Sequence, residues 1–135
     1  IGDGTQRKNL EKIDRSVKFT GYLPHAKVLE YMRNSDIFVL PSVGETLGMV
    51  YLEAMASGCI TVATKGDGVD GIIKNNVNGF LTTPDVKEIQ NALLNIKSMS
   101  TDSLKTLRCN SYSTIKNFTQ RAMCEYYLQQ IFKIL

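Results

Sequence analysis

The chain has 135 residues, the size of one domain, and is 43% hydrophobic and 21% charged, which excludes wholesale disorder. Sixteen basic and thirteen acidic residues leave a formal charge of +3, too small and too scattered to indicate a nucleic-acid-binding protein. No apolar run approaches the ~18 to 20 residues of a membrane span, and the polar N-terminal segment does not resemble a signal peptide.

The polar stretch 5–14 contains helix-forming residues and predicts a first helix, which Thr5 can cap. Residues 17–20 alternate between apolar and polar side chains, so they predict a short strand that ends at Gly21.

Pro24 suits the first turn of the next helix, which an apolar stripe predicts over residues 24–36. The compact apolar run at 36–41 is typical of a strand that is buried on both faces. A largely apolar helix follows from about residue 50, and Gly58 is its expected C-terminal cap.

The rest of the chain alternates in the same way. The predicted elements are a strand at 59–64, a loop at 65–79, a strand at 80–82, a helix at 85–97 capped by Asp85, and helices at 101–118 and 119–135. Strands that alternate with helices of about a dozen residues require right-handed crossovers and a parallel sheet with helices on both faces. We therefore predict one α/β domain of Rossmann type that ends in two helices.

The three cysteines, Cys59, Cys109 and Cys124, are odd in number and lie far apart. No CxxC motif occurs, and the only histidine, His25, follows Pro24 at a helix start, where we expect an exposed residue without a catalytic role. The pattern predicts neither a zinc site nor a disulfide framework and favours a reducing, cytoplasmic compartment. We interpret the cysteines as small apolar residues on packed faces.

Open α/β sheets bind ligands at the carboxyl ends of their strands, so the strand-to-helix loops are the places to examine. Three loops are rich in glycine, at 2–5, 42–48 and 66–68. In the second, the backbone N–H groups of Thr46, Leu47 and Gly48 would lie at a helix N-terminus, where they suit a phosphate group.

Glu45 and Glu53 are eight positions apart. On a continuous helix that spacing is ~12 Å, too far for a glycosidase carboxylate pair but suitable for a ligand with two hydroxylated sugars joined by a diphosphate. Alternatively, Glu45 is a solvated loop residue and Glu53 a solvated helix residue. The apolar neighbours of Glu53, Leu52 and Ala54, count against that alternative because a carboxylate near a core face usually has a partner.

Together these segments resemble the retaining GT-B glycosyltransferases of family GT4. Residues 45–58 (ETLGMVYLEAMASG) resemble the E-x7-E segment of that family. Its glycine loop and three of its strands have counterparts in the family's order at 1–4 (IGDG), 17–23 (VKFTGYL), 35–42 (SDIFVLPS) and 79–81 (GFL). The resemblance covers about residues 1–97.

The resemblance implies a role for each matching residue. Glu45 would contact hydroxyl groups of the donor sugar and act as the catalytic residue. Glu53 would bind the ribose of the nucleotide. The backbone amides of Thr46, Leu47 and Gly48 would meet the diphosphate or the sugar.

Two further segments would complete the donor site. Gly2 and Gly4 would let the chain pass close to the donor, and the backbone near Tyr22 and Leu23 would lie beside the base. The family needs no metal and no cofactor apart from its UDP- or GDP-linked sugar donor.

Two positions depart from the family pattern. Thr46 stands where the family often has glycine, so its side chain would narrow the sugar pocket. Gly71 stands where the family often has glutamate, and Asp67 and Asp70 are the only acidic residues nearby. The donor sugar is therefore left open.

The resemblance also implies an organisation for the whole protein. Residues 1–135 would be the nucleotide-sugar-binding, C-terminal domain of a two-domain enzyme, with the first one or two strands of the sheet missing. An N-terminal domain would bind a saccharide or lipid-linked acceptor, as in polysaccharide biosynthesis. The isolated chain would bind the donor weakly and would not transfer sugar.

Two alternatives and one surface remain open. The fold could belong to a GT-B nucleotide-sugar epimerase or hydrolase, or to a non-enzymatic nucleotide-binding module of receiver or flavin type. Receivers need acidic residues at strand ends, whereas Asp36 precedes its strand.

Lys105, Arg108 and Lys116 fit either a contact with the inner face of a membrane or a solvated helix face.

Overall fold

The computed structural model describes residues 1–132, and within them a three-stranded parallel sheet has the order β1-β2-β3. The strands are β1 (Ile37–Leu40), β2 (Ile60–Thr64) and β3 (Phe80–Thr82). The helices are α1 (Arg7–Ile13), α2 (His25–Arg33), α3 (Met49–Ala56), α4 (Val86–Ser98), α5 (Thr101–Ile115) and α6 (Gln120–Phe132), with a 3-10 turn at Lys116–Phe118. The predicted Rossmann-like α/β class is confirmed. The predicted helix end at 135 lies outside the described residues.

The core lies on both faces of β2, which is buried at all five positions. Alternation along the strand sends Ile60 and Val62 to the face covered by α4 and α5, and Ala63 to the face covered by α3. The buried apolar residues on the α3 face are Tyr51, Leu52, Met55, Ala63, Val69 and Ile73. This packing fixes the carboxyl ends of β1 and β2 next to the N-terminus of α3.

Two predictions about strands are wrong. β1 is half-buried rather than buried on both faces, and Val39 is 37% exposed, because among the described residues β1 pairs with β2 on one edge only. Residues 17–20 form no strand; the nearest pairing is an isolated antiparallel bridge between Gly2 and Gly21. An alternating pattern predicts a strand only where a neighbouring backbone is available, and no described strand lies beside this segment.

The starts of the first two helices also differ from prediction. Thr5 does not cap α1, which begins at Arg7 after an N-cap at Gln6 that makes no side-chain capping bond. The Arg7 N–H instead donates to the Gly4 carbonyl oxygen at 3.1 Å. Pro24 is the N-cap of α2 and not a residue of its first turn, since its extended ψ of 146° precedes the helix.

Two other helix ends are as predicted. The Asp85 carboxylate caps α4 by accepting hydrogen bonds from the N–H groups of Lys87 and Glu88, at 2.8 and 3.2 Å. Gly58 ends α3 with a φ of +89°, and its N–H donates to the Met55 carbonyl oxygen at 3.2 Å.

Only one cysteine is packed as predicted. Cys59 is buried, and its thiol contacts the Met32 carbonyl oxygen at 3.1 Å. Cys109 and Cys124 are exposed, so their assignment to packed faces is wrong. Among residues 1–132, no helix has both the length and the apolar character needed to cross a bilayer.

Candidate functional site

The loops that follow β1 and β2 meet at the carboxyl edge of the sheet. The N–H of Gly68 donates to the Glu45 carbonyl oxygen at 3.1 Å. A Cβ at Gly68 would overlap the Thr46 carbonyl group and would stand 2.9 Å from the Glu45 carbonyl oxygen. The loop at 66–68 therefore packs main chain against main chain on the loop at 42–48, which only a glycine permits.

Gly48 shapes the other end of the loop at 42–48. It is the N-cap of α3 and has a φ of +62°, a conformation that side chains disfavour. A Cβ there would collide with the Tyr51 ring and would lie 3.0 Å from Cγ of Glu45. Glycine thus allows the loop to turn tightly over the aromatic ring and brings the Glu45 side chain against it.

Tyr51 joins α3 to the end of β1. Its side chain is 1% exposed, its hydroxyl donates to the Leu40 carbonyl oxygen at 2.6 Å, and its ring meets the Phe38 ring edge-on at 5.8 Å. Burial raises the pKa of the Tyr51 phenol, and the carboxylates of Glu45 and Asp67 act in the same direction. The hydroxyl therefore remains a donor at neutral pH and holds the loop between strand and helix.

The turn before α3 presents unpaired backbone donors. Within residues 1–132, the N–H groups of Thr46, Leu47 and Gly48 donate no hydrogen bond, and Thr46 and Leu47 are exposed. They stand at the positive end of the α3 dipole. This arrangement attracts an anion with several acceptor oxygens.

The two glutamates are placed differently from each other. Glu45 is half-buried in the turn, four residues before α3 begins, so a separation from helical rise does not apply to the pair. Glu53 lies within α3 between two buried residues, Leu52 and Ala54, and its side chain is 28% exposed.

Glu53 has a partner that the sequence did not reveal. His25, the first residue of α2, is 67% exposed as expected, but its Nε2 lies 2.9 Å from Oε1 of Glu53. The only available signal was its position two residues after Leu23, which the family resemblance placed beside the base.

The glycine loop at the start of the chain contacts the segment before α2. The Gly2 N–H donates to the Gly21 carbonyl oxygen at 2.8 Å. Tyr22 is 83% exposed and Leu23 is half-buried. Within the described part of the chain, no hydrogen bond joins Gly2 or Gly4 to either glutamate. The link between this segment and Glu53 is His25, which follows Leu23 by two residues and contacts the Glu53 carboxylate.

The acidic residues of the third loop have different environments. Asp70 accepts a hydrogen bond from the Gly66 N–H at 2.6 Å and thereby closes the turn. One carboxylate oxygen of Asp67 is buried and has no hydrogen-bond partner in residues 1–132. Asp67, directly before Gly68, is thus the acid that lies next to the Glu45 loop, while Gly71 contributes no side chain.

Comparisons with known proteins agree with this geometry. The chain is 40% identical over 94 residues to sulfoquinovosyl transferase SQD2 of Arabidopsis thaliana, covering 65% of this chain and 18% of the relative. It is 30% identical over 131 residues to the GDP-mannose-dependent alpha-mannosyltransferase of Corynebacterium glutamicum, covering 96% of this chain and 31% of the relative. The crystal structure of Anabaena HepE in complex with UDP and glucose superposes with a TM-score of 0.75 at 26% identity, covering 96% of this chain and 35% of HepE.

The chain therefore spans about a third or less of the length of these proteins. The family match favours a transferase over the epimerase, hydrolase, receiver and flavin-binding alternatives. Because residues 1–98 match the profile of glycosyl transferases group 1, the chain belongs to that family, as the E-x7-E segment predicted.

Proposed function

We propose that this chain is the donor-binding domain of a retaining GT4 glycosyltransferase that uses a UDP- or GDP-linked sugar. The observation that carries the proposal is the row of unpaired N–H groups at Thr46, Leu47 and Gly48, with one glutamate on each side. Two similar proteins support the donor class: HepE was crystallised with UDP and glucose, and the mannosyltransferase is named for GDP-mannose.

In this proposal the amides at 46–48 bind the diphosphate, because N–H groups and the helix dipole both favour negative charge there. Glu53 accepts hydrogen bonds from the ribose hydroxyls, and Glu45 accepts them from the donor sugar and acts at the reacting centre. Thr46 and Asp67 border the sugar and select among donors.

The remaining donor contacts come from backbone. Gly2 and Gly4 have open space where a Cβ would stand, so a ligand can approach their main chain closely. The exposed Tyr22 and the half-buried Leu23 lie beside the base. The donor needs no additional cofactor or metal in this arrangement.

The whole protein would have a second, N-terminal domain that binds a saccharide or lipid-linked acceptor. It would work in the cytoplasm, at the inner face of the membrane when the acceptor is a lipid. The basic residues of α5 and of the 3-10 turn after it give limited support for direct membrane contact, because Arg108 pairs with Asp36 at 2.8 Å and Lys116 lies over the Tyr112 ring at 5.0 Å.

Isothermal titration of the chain with UDP, GDP and FMN tests the proposal. We expect weak binding of UDP or GDP, and at least a tenfold loss for Glu53→Ala, since a hydrogen bond to a charged group contributes about 1.5–3 kcal/mol. Glu30→Ala is the matched control, because Glu30 is an exposed glutamate that pairs with Lys27 on α2.

Three results would contradict the proposal. Equal nucleotide affinity in Glu53→Ala and Glu30→Ala would remove the ribose role of Glu53. Tight FMN binding would indicate a flavin module. Sugar transfer by this chain alone would show that no second domain is needed for the reaction.

A further inference from the structure

The contact between His25 and Glu53 joins two helices at the proposed nucleoside end of the site. His25 begins α2, Glu53 lies in the second turn of α3, and the two residues are 28 positions apart in sequence. Nε2 of His25 and Oε1 of Glu53 are separated by 2.9 Å, the length of a well-formed hydrogen bond.

The chemistry of the two groups fixes the direction of this bond. An ionised carboxylate can only accept, so the proton must be on Nε2 of His25. No other hydrogen bond to the Glu53 carboxylate occurs among the described residues, so Oε2 retains all of its acceptor capacity. The pair therefore leaves one carboxylate oxygen available to a ligand while it holds the other.

Holding the carboxylate matters because a glutamate side chain has three rotatable bonds. Its backbone is already fixed, since Leu52 and Ala54 on either side are buried in the core. The side chain itself is 28% exposed and would otherwise lose rotamer freedom when a ligand binds. A hydrogen bond that is present before binding removes part of that cost.

We propose that His25 is a positioning residue that orients Glu53 toward the ribose hydroxyls of the nucleotide. The inference rests on the proposed function, because it assigns His25 to the same ribose contact. The His25 side chain is 67% exposed, which limits the strength of its bond. We expect His25→Ala to weaken nucleotide binding about two- to fivefold, less than the loss from Glu53→Ala.

The test compares UDP and GDP with the 2′,3′-dideoxy form of whichever nucleotide binds, by calorimetry on this chain. The dideoxy ligand lacks the hydroxyl groups that would donate hydrogen bonds to Glu53, so His25→Ala should leave its affinity unchanged. His25→Gln should restore most of the affinity for the ordinary nucleotide, because a glutamine amide can also donate to Oε1. Lys27→Ala, which removes an exposed ion pair on the same helix, is the matched control.

Each outcome decides between the two proposals. If Glu53→Ala weakens binding and His25→Ala does not, the positioning role is overturned and the proposed function stands. If His25→Ala lowers the affinity for the ordinary and the dideoxy nucleotide equally, the residue acts through the fold. If His25→Ala binds the ordinary nucleotide more tightly, His25 competes with the ribose for Glu53. Either result overturns the inference. If the unchanged chain binds neither nucleotide, both proposals fail together.

Discussion

The packing of Gly68 on the loop at 42–48 gives the sharpest prediction. In Gly68→Ala the new methyl group would overlap the Thr46 carbonyl, which is main chain and cannot rotate away. The two loops must separate, and the bond from the Gly68 N–H to the Glu45 carbonyl must lengthen from 3.1 Å or break. Overpacking costs ~1–3 kcal/mol and the lost hydrogen bond ~0.5–1.5 kcal/mol, so we expect a fall of about 1.5–4.5 kcal/mol in unfolding free energy.

The same shift moves the amides of Thr46, Leu47 and Gly48, which the proposed site needs in place. A displacement of ~1 Å in a positioned group can cost ~100-fold in activity, so nucleotide affinity should fall at least about tenfold. Urea unfolding and calorimetry with UDP or GDP measure the two effects on one preparation.

Gly79→Ala is the matched control for this variant. Its Cβ would stand 2.9 Å from Cγ2 of Ile73 and 3.0 Å from the Thr61 carbonyl oxygen, away from the site. We expect it to lose stability while the folded protein keeps its nucleotide affinity. If Gly68→Ala has the same unfolding free energy and the same nucleotide affinity as the unchanged chain, the reasoning about main-chain packing between the loops is refuted.

Three further predictions concern the scaffold. Tyr51→Phe should lower the unfolding free energy by about 1–2 kcal/mol, because it leaves the Leu40 carbonyl without its donor. Burial raises the pKa of Tyr51, so the folded state keeps this proton to a higher pH than the unfolded chain does. The free energy of unfolding measured with urea should therefore decline above pH ~10 in the unchanged chain, and less in Tyr51→Phe. A thiol reagent should label two cysteines at once and Cys59 only on unfolding, since Cys59 alone is buried; rapid labelling of all three would contradict the packing. Asp85→Ala should cost ~1 kcal/mol through the lost cap of α4, whereas Asp85→Asn should cost a few tenths, and thermal unfolding distinguishes them.

The elements that the sequence predicted well depend on local signals. Asp85 before an amphipathic run marks the start of α4, and Gly58 after an apolar helix marks the end of α3. Both signals act within a few residues. The strand predicted at 17–20 failed because pairing depends on a distant backbone, which alternation within four residues cannot reveal.

The same distinction applies to the site. The glutamates and the turn at 46–48 lie in one contiguous segment, so their pattern is visible in the sequence. The bond between His25 and Glu53, and the contact of Gly68 with Thr46, join residues that are far apart in the chain. A histidine after a proline and a glycine in a loop are common, and only the packing of α2 and of the third loop gives them partners.

The single-sided pairing of β1 has a consequence for handling the protein. Among the described residues no strand pairs with its outer edge, which lies next to an apolar groove of about 410 Å³ lined in part by Val28, Tyr31 and Met32. Such an edge is a template for strand addition by another molecule. Self-association at high concentration should therefore begin there, and a charge at Val39, which is 37% exposed, should improve colloidal stability without touching the ligand-binding loops.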